Sequence, residues 1–103
     1  MVWIYAVANQ SGRVWVLYKA SVSCHTVGDS DQHISLGIGS QFLADKIYFS
    51  FVHAKCTGQE RVGLWVDLLR DKPEGKLWFL VGDFNVILKT EEKRGGVPFR
   101  HSD

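Results

Sequence analysis

The 103-residue sequence lacks the features that would assign it at once to a class of protein. It has only two cysteines, Cys24 and Cys56, and its first residues do not have the pattern of a signal peptide, so we expect free thiols in an intracellular, reducing compartment. No apolar run approaches the roughly 20 residues of a membrane-spanning helix. The formal net charge is +1, which gives no electrostatic argument for binding nucleic acid or an anionic membrane. A nucleic-acid-binding function would therefore have to rest on a specific site.

The cysteines and histidines do not predict a zinc site either. Cys24 and His25 are adjacent, and His53 and Cys56 are separated by two residues. Both pairs fall in segments whose composition is typical of β-strands, where adjacent side chains point to opposite faces. We therefore do not expect either pair to share a metal ion.

Apolar residues make up 46% of the chain, which indicates one small domain with a packed core. Five segments rich in Val, Ile, Trp and Tyr, separated by turn-like clusters, predict strands at 2–8, 12–20, 21–27, 32–39 and 46–54. In the fourth segment Ile34, Leu36 and Ile38 alternate with small or polar residues, which predicts a strand buried on one face only.

The periodicity changes in the second half of the chain. Between residues 60 and 70, apolar residues recur at spacings of three and four, which predicts an amphipathic helix ended by Pro73 and Gly75. The face expected to pack against a sheet consists of Val62, Trp65, Leu68 and Leu69. All four tryptophans are expected in the core rather than as platforms for stacking bases: Trp3, Trp15, Trp65 and Trp78.

A continuous apolar run at 77–81 follows the helix and predicts a central strand covered on both faces. It ends in Gly82-Asp83-Phe84-Asn85, at the carboxyl edge where ligands bind in α/β sheets. The Asp83 carboxylate could hold or deprotonate a water, and the Asn85 amide could donate to a phosphate oxygen. The alternative interpretation is an ordinary turn, since Asp and Asn are common turn residues.

The stretch "WFLVGDFNVIL…EEKRGG" resembles the endonuclease/exonuclease/phosphatase superfamily, in particular the endonuclease domain of plant non-LTR (LINE-type) retrotransposon polyproteins. The segments "GRVWVLYK", "FVHAKC" and "ERVGLWVDLL" resemble that domain at the expected distances upstream. The resemblance implies an α/β fold of which residues 1–103 form part, a four-layered sandwich of two packed sheets. The polar segment 89–103 has no periodicity, which predicts a loop or tail. The resemblance also implies Mg²⁺-dependent hydrolysis of phosphodiester bonds with DNA as the partner, and a nuclear location is compatible with it.

The resemblance assigns roles to three residues of this sequence. Asp83 would orient or deprotonate the attacking water, and Asn85 would hydrogen-bond the scissile phosphate. His53 occupies the position where the family usually has an active-site tyrosine, so it would donate to the phosphate. The alternative interpretation of His53 is an ordinary strand histidine.

The sequence also departs from the family pattern. The family's metal-binding glutamate would be expected before Met1, and its final Ser-Asp-His segment after Asp103. Asp83 alone does not make an Mg²⁺ site, so the metal ligands stay unassigned. We therefore expect an internal fragment that is inactive alone. A non-catalytic remnant or binding module, and part of a phosphoinositide or lipid phosphodiesterase of the same superfamily, are the alternatives.

Overall fold

The computed structural model describes residues 3–85, which contain six strands and one helix. All five predicted segments before residue 57, the helix and the strand after it are present, with their ends shifted by a few residues. The predicted loop at 89–103 lies outside the described residues. The elements are β1 (Ile4–Ala8), β2 (Trp15–Lys19), β3 (Ser23–Asp29), β4 (His33–Gly39), β5 (Ile47–His53), α1 (Gly58–Asp71) and β6 (Trp78–Asp83).

The strands form two sheets. β1 and β2 make an antiparallel pair, and β3, β4, β5 and β6 make a four-stranded sheet in that order. Within the larger sheet only β5 and β6 are parallel, and α1 connects them. The described residues therefore form the mixed α/β fold that the sequence predicts.

The β1–β2 pair and α1 cover opposite faces of the four-stranded sheet. Ile34 and Leu36 of β4 face the β1–β2 pair, where they form an apolar cluster with Val14. On the other face, Val52 of β5 packs against Leu64 of α1. Three layers result, with the larger sheet in the middle.

Strand β4 is buried on both faces, although its alternating pattern predicts one buried face. The polar residues of β4 lie under α1 and are paired there. His33 Nε2 lies 2.7 Å from Asp71 Oδ2, and the hydroxyls of Ser35 and Ser50 are 2.6 Å apart. Because each polar group has a partner, burial of this second face costs little, and a hydrophobicity pattern does not detect it.

The prediction that residues 77–81 form a central, buried strand is wrong. Among the described residues, β6 is the last strand of the sheet, and Phe79, Leu80 and Val81 are all more than 45% exposed. The reason is the position of α1, which lies mainly over β3 and β4 and reaches only Trp78 at the start of β6. The β1–β2 pair also packs on the β4 side of the sheet. Both covering layers are therefore centred on β4.

The predicted packing face of the helix is only partly correct. Leu68 is buried as expected, but Val62 and Leu69 are exposed, and the second apolar residue of the buried stripe is Leu64. The stripe continues to the charged Asp71, which the apolar pattern could not include. The start of α1 follows from local sequence, since the Thr57 hydroxyl accepts a hydrogen bond from Glu60 N and donates to Glu60 Oε1.

The tryptophans are less buried than the sequence predicts. Trp3 and Trp15 are more than 60% exposed, so the expectation that they belong to the core is wrong. Trp3 immediately precedes β1 and Trp15 is the first residue of β2, in the small sheet whose outer face has no covering layer among residues 3–85. Trp65 is also exposed at its edge but stacks on Phe84, while Trp78 packs against the cluster under α1 and donates to Ser50 Oγ.

Candidate functional site

The predicted site residues lie where β5 and β6 end side by side. His53 is in register with Asp83 across this parallel pair, and Ala54 N donates to Asp83 O at 2.8 Å. Residues in register on neighbouring strands project from the same face of a sheet. The expectation that the strand carrying His53 neighbours the strand carrying Asp83 is therefore confirmed.

Glycine is required immediately before Asp83. Gly82 has a φ of +137°, and a Cβ at this position would collide with the Val52 carbonyl oxygen. Any other residue would push β6 away from β5 at this point. Gly82 thus sets how closely Asp83 approaches His53.

Asn85 is held by two hydrogen bonds at the end of β6. Its backbone N donates to Asp83 Oδ1 at 2.9 Å, and its side-chain Nδ2 donates to Ala54 O at 2.6 Å. The backbone of Asn85 has a φ of +52°, a left-handed conformation that asparagine tolerates better than most residues. Both Asp83 and Asn85 therefore have a role in the turn, as the alternative interpretation predicts. The same contacts fix the orientation of the Asp83 carboxylate and of the Asn85 amide.

A cleft of about 360 Å³ lies next to this turn and includes two of the three predicted site residues. Its walls come from the β1–β2 turn, the β3–β4 turn, the end of β5 and the start of α1. Asp83 is beside the cleft but is not one of its lining residues. The lining residues are Ser11, Arg13, Asp31, His53, Ala54, Lys55, Cys56, Glu60 and Asn85.

The charges of the cleft are of both signs. Lys55 Nζ lies 2.7 Å from Asp31 Oδ2 and 3.9 Å from Glu60 Oε2, and Arg13 adds a second cation. The hydrogen bond from Lys55 lowers the pKa of Asp31, and the same bond raises the pKa of Lys55. Both groups are therefore charged at neutral pH, and an anion in the cleft would compete with two carboxylates for Lys55.

Gln32 connects the β3–β4 turn to the floor of the cleft. Its backbone O accepts from His53 N at 2.8 Å, and its Oε1 accepts from Lys55 N at 2.9 Å. Its Nε2 donates to Glu60 O at 3.0 Å. Gln32 thus holds the backbone of three cleft residues, His53 through its own backbone and Lys55 and Glu60 through its buried side chain.

Asn9 holds the opposite wall of the cleft. Its Oδ1 accepts from the backbone N of Arg13 and of Val14, at 3.1 and 3.0 Å, which shapes the β1–β2 turn. Its Nδ2 donates to Ser30 O at 3.0 Å, which attaches that turn to the β3–β4 turn. The Asn9 side chain therefore positions Arg13 relative to the larger sheet.

Sequence reasoning misses Arg13, Asp31, Lys55 and Glu60. The sequence around Asp31 is typical of a solvated turn charge, but Asp31 pairs with Lys55 in the cleft. No spacing in the sequence connects these positions, since they come from four different elements or turns. Pairing of β4 with β5 and the start of α1 bring Asp31, Lys55 and Glu60 together, and the packing of the β1–β2 pair adds Arg13.

The side chains of residues 3–85 do not by themselves fit an Mg²⁺ site. Among residues 3–85 no three His, Cys, Asp or Glu side chains lie close enough to hold a metal ion. Of the two residues in register, His53 and Asp83, only Asp83 has a carboxylate, and the nearby Asp31 is already paired with Lys55. Mg²⁺ needs a near-octahedral shell of oxygen ligands, which this arrangement does not provide.

The predicted separation of Cys24 and His25 agrees with the structure. Cys24 packs in the cluster that faces the β1–β2 pair, whereas His25 contacts Tyr48 and lies over Gly37 on the other face. Within the described part of the chain, no helix combines the length and apolar content needed to span a bilayer.

Comparison of the chain with protein-family models, with curated proteins and with solved structures gives no match.

Proposed function

We propose that this chain is part of an Mg²⁺-dependent, DNA endonuclease-like phosphodiester hydrolase of the endonuclease/exonuclease/phosphatase type, and that it binds the phosphodiester backbone without cleaving it alone. The observation that supports this proposal is the register of His53 with Asp83, next to a cleft that also contains Asn85 and two cations. The partial four-layered sandwich belongs to the same proposal.

Each residue would have a distinct role in this function. Arg13 and Lys55 attract a phosphate to the cleft, and the His53 ring and the Asn85 amide donate hydrogen bonds to its oxygens. Asp83 accepts a proton from, or orients, the attacking water. Because Asn85 N holds one oxygen of Asp83, the carboxylate is oriented before substrate arrives.

Cleavage requires more than these groups. Phosphodiester hydrolysis of this kind needs charge neutralisation by a metal, a positioned water and a group that protonates the leaving oxygen. The resemblance matches no residue of this sequence to the family's metal-binding glutamate or final histidine. Loss of one electrostatic stabiliser commonly costs roughly 10²–10³ in rate, so we expect activity near background.

A nicking assay tests the absence of cleavage. Supercoiled plasmid is incubated with Mg²⁺ and either the unmodified chain or the Asp83→Ala variant, and the two should convert plasmid equally slowly. Robust nicking by the unmodified chain that disappears in the variant would show that the chain contains a complete active site.

Binding is tested separately with a fluorescein-labelled DNA duplex at low salt, measured by anisotropy. At physiological salt we expect a dissociation constant on the order of 10⁻⁴–10⁻⁶ M, as for non-specific binding, with tighter binding at low salt. Lys55→Gln should weaken binding and reduce its salt dependence, whereas Lys19→Gln, which removes an exposed cation of β2, should have little effect. Equal weakening by the two variants would contradict the assignment of the cleft. Stronger competition by a soluble inositol phosphate than by unlabelled DNA would favour the lipid-phosphodiesterase alternative.

A further inference from the structure

The outer edge of β6 is an unpaired strand edge among the described residues. β6 pairs with β5 on one side, and no strand in residues 3–85 pairs with its other side. From Leu77 to Gly82 the strand has no charged residue and no proline. Edge strands of soluble proteins usually carry such residues, or a bulge, because unpaired N–H and C=O groups bind another strand. The edge therefore has the chemistry of a pairing surface.

An apolar stripe accompanies this edge. The ring of Phe79 stacks on Phe49 with centroids 5.4 Å apart, and Phe49 stacks on Phe51 at 5.7 Å. Phe79 is 47% exposed and Val81 is 46% exposed, although both project from the face that the β1–β2 pair covers over β4. A strand that pairs with the β6 edge would set its own side chains beside this stripe and extend the apolar surface.

The charges of the strand favour a second copy of this chain as that partner. In a two-fold symmetric contact the same surface meets itself, so any charge in its centre would face a like charge. The centre of β6 has none, and the net charge of the whole chain is only +1, so repulsion between copies is weak. A strongly charged partner would find no complementary charge between Leu77 and Gly82.

The strand is also self-complementary in one register. Antiparallel pairing of two β6 strands about Leu80 sets Leu80 opposite Leu80 and Phe79 opposite Val81. Opposing residues then lie on the same face, so the stripe of one copy continues into that of the other. Asp83 stands opposite Leu77, and no like charges face each other. We propose that β6 pairs in this way with β6 of a second copy, joining two four-stranded sheets into one.

Site-specific cross-linking tests the register. In a Cys24→Ser/Cys56→Ser background, Leu80→Cys should form a disulfide-linked dimer on mild oxidation, because the two introduced thiols would be directly opposed. Phe79→Cys should form far less, since residue 79 would face residue 81. Leu69→Cys, at a side chain that is 70% exposed on α1, is the control for random collision. Equal yields from all three variants would overturn the proposal.

Sedimentation tests the association itself. The unmodified chain should approach twice its monomer mass of 11.7 kDa as its concentration rises. Leu80→Lys should return it to the monomer mass, and Leu69→Lys should not, with circular dichroism showing that both variants are folded. A monomeric unmodified chain whose Leu80→Cys variant gives no dimer would overturn the proposal and show that other residues of the chain cover the edge. Species larger than a dimer would also contradict it, because a symmetric pair is closed.

Discussion

Strands β4 and β6 belong to one sheet, but the less apolar strand, β4, is buried and the more apolar strand, β6, is exposed. Three of the seven residues of β4 are large and apolar, and the strand is buried almost throughout. Four of the six residues of β6 are large and apolar, yet nearly the whole strand is exposed. Burial here depends on where a strand lies relative to α1 and the β1–β2 pair, and not on how apolar it is.

The polar residues of β4 show why this strand can be central. His33 is fully buried, with Ser30 Oγ 2.7 Å from its Nδ1 and Asp71 Oδ2 2.7 Å from its Nε2. Because the Asp71 carboxylate can only accept, the His33 Nε2–H group donates a hydrogen bond to Asp71 Oδ2. The pair connects β4 to the last turn of α1. Strand β6 has no comparable anchor from the covering layers.

The largest expected difference between the strands is in their response to loss of side-chain volume. Leu36→Ala in β4 should lower the free energy of unfolding by about 2–5 kcal/mol, because it opens a cavity where the side chain is fully buried. Val81→Ala in β6 should cost less than about 1 kcal/mol, since the side chain is half exposed. Urea denaturation at matched protein concentration measures both. Similar losses would show that β6 is covered in solution as thoroughly as β4.

The next largest loss of stability is expected from breaking the His33–Asp71 hydrogen bond that connects β4 to α1. Asp71→Ala leaves the buried His33 Nε2–H without an acceptor and should cost about 1–3 kcal/mol. Asp71→Asn is the matched control, because its side-chain oxygen can still accept from His33, and it should recover part of that loss. Should both variants be as stable as the unmodified chain in urea, the His33–Asp71 contact would not anchor β4.

Gly82 is the position of β6 where we expect a small substitution to lower the free energy of unfolding as much as a substitution in a buried strand. Gly82→Ala combines an unfavourable φ with a collision against Val52 O, and we expect a loss of about 1–2 kcal/mol. Gly63→Ala is the control, since Gly63 lies in α1 with open space at its Cβ and should gain up to about 1 kcal/mol. Thermal unfolding followed by circular dichroism compares the two. A neutral Gly82→Ala variant would mean that β5 and β6 are less closely paired.

The smallest expected effect on stability concerns the exposed ion pair between Asp31, before β4, and Lys55, after β5. The Asp31 pKa is lowered, so its pairing contributes to stability above the usual Asp pKa of 3.8 and is lost as pH falls through the lowered value. The Lys55 pKa is raised, so its contribution is present below its usual 10.5 and is lost as pH rises through the raised value. Lys55→Met should therefore be slightly less stable than the unmodified chain at neutral pH and equally stable at strongly acidic pH.

Urea midpoints of both proteins, compared between neutral and strongly acidic pH, measure this difference, and solvent screening keeps it small. A difference that persists undiminished in strong acid would indicate that the Lys55 side chain acts through packing rather than through its ion pair.

The sequence predicts the elements of this fold better than their arrangement. Strand alternation and helical periodicity locate every element between residues 3 and 85, because these patterns depend on neighbours along the chain. They do not indicate which strand is central, since that depends on where α1 and the β1–β2 pair settle. The apolar run at 77–81 therefore predicts a central strand wrongly, and no pattern indicates that the polar residues His33 and Asp71 belong to the core.

The sequence likewise predicts some residues of the candidate site and not others. Asp83, Asn85 and His53 follow from a motif and from the order of elements, and the structure pairs the strands that carry them. The cleft residues Arg13 and Lys55 could not be found, because turns distant in sequence form that cleft. Their positions depend on single side chains such as Asn9 and Gln32, whose contacts no local pattern encodes.

The crossover between β5 and β6 determines the order in which the chain can assemble. Strands β3, β4 and β5 pair with their neighbours in sequence, so these contacts can form early at little loss of chain entropy. Pairing of β6 with β5 must wait until the intervening α1 segment has closed a long loop, and this last strand buries little of its side-chain surface. Its amide hydrogens should therefore exchange with solvent through local opening while β4 stays protected. Because Asp83 and Asn85 come with β6, we expect the candidate site to form after β3, β4 and β5 have paired and to open before β4 does.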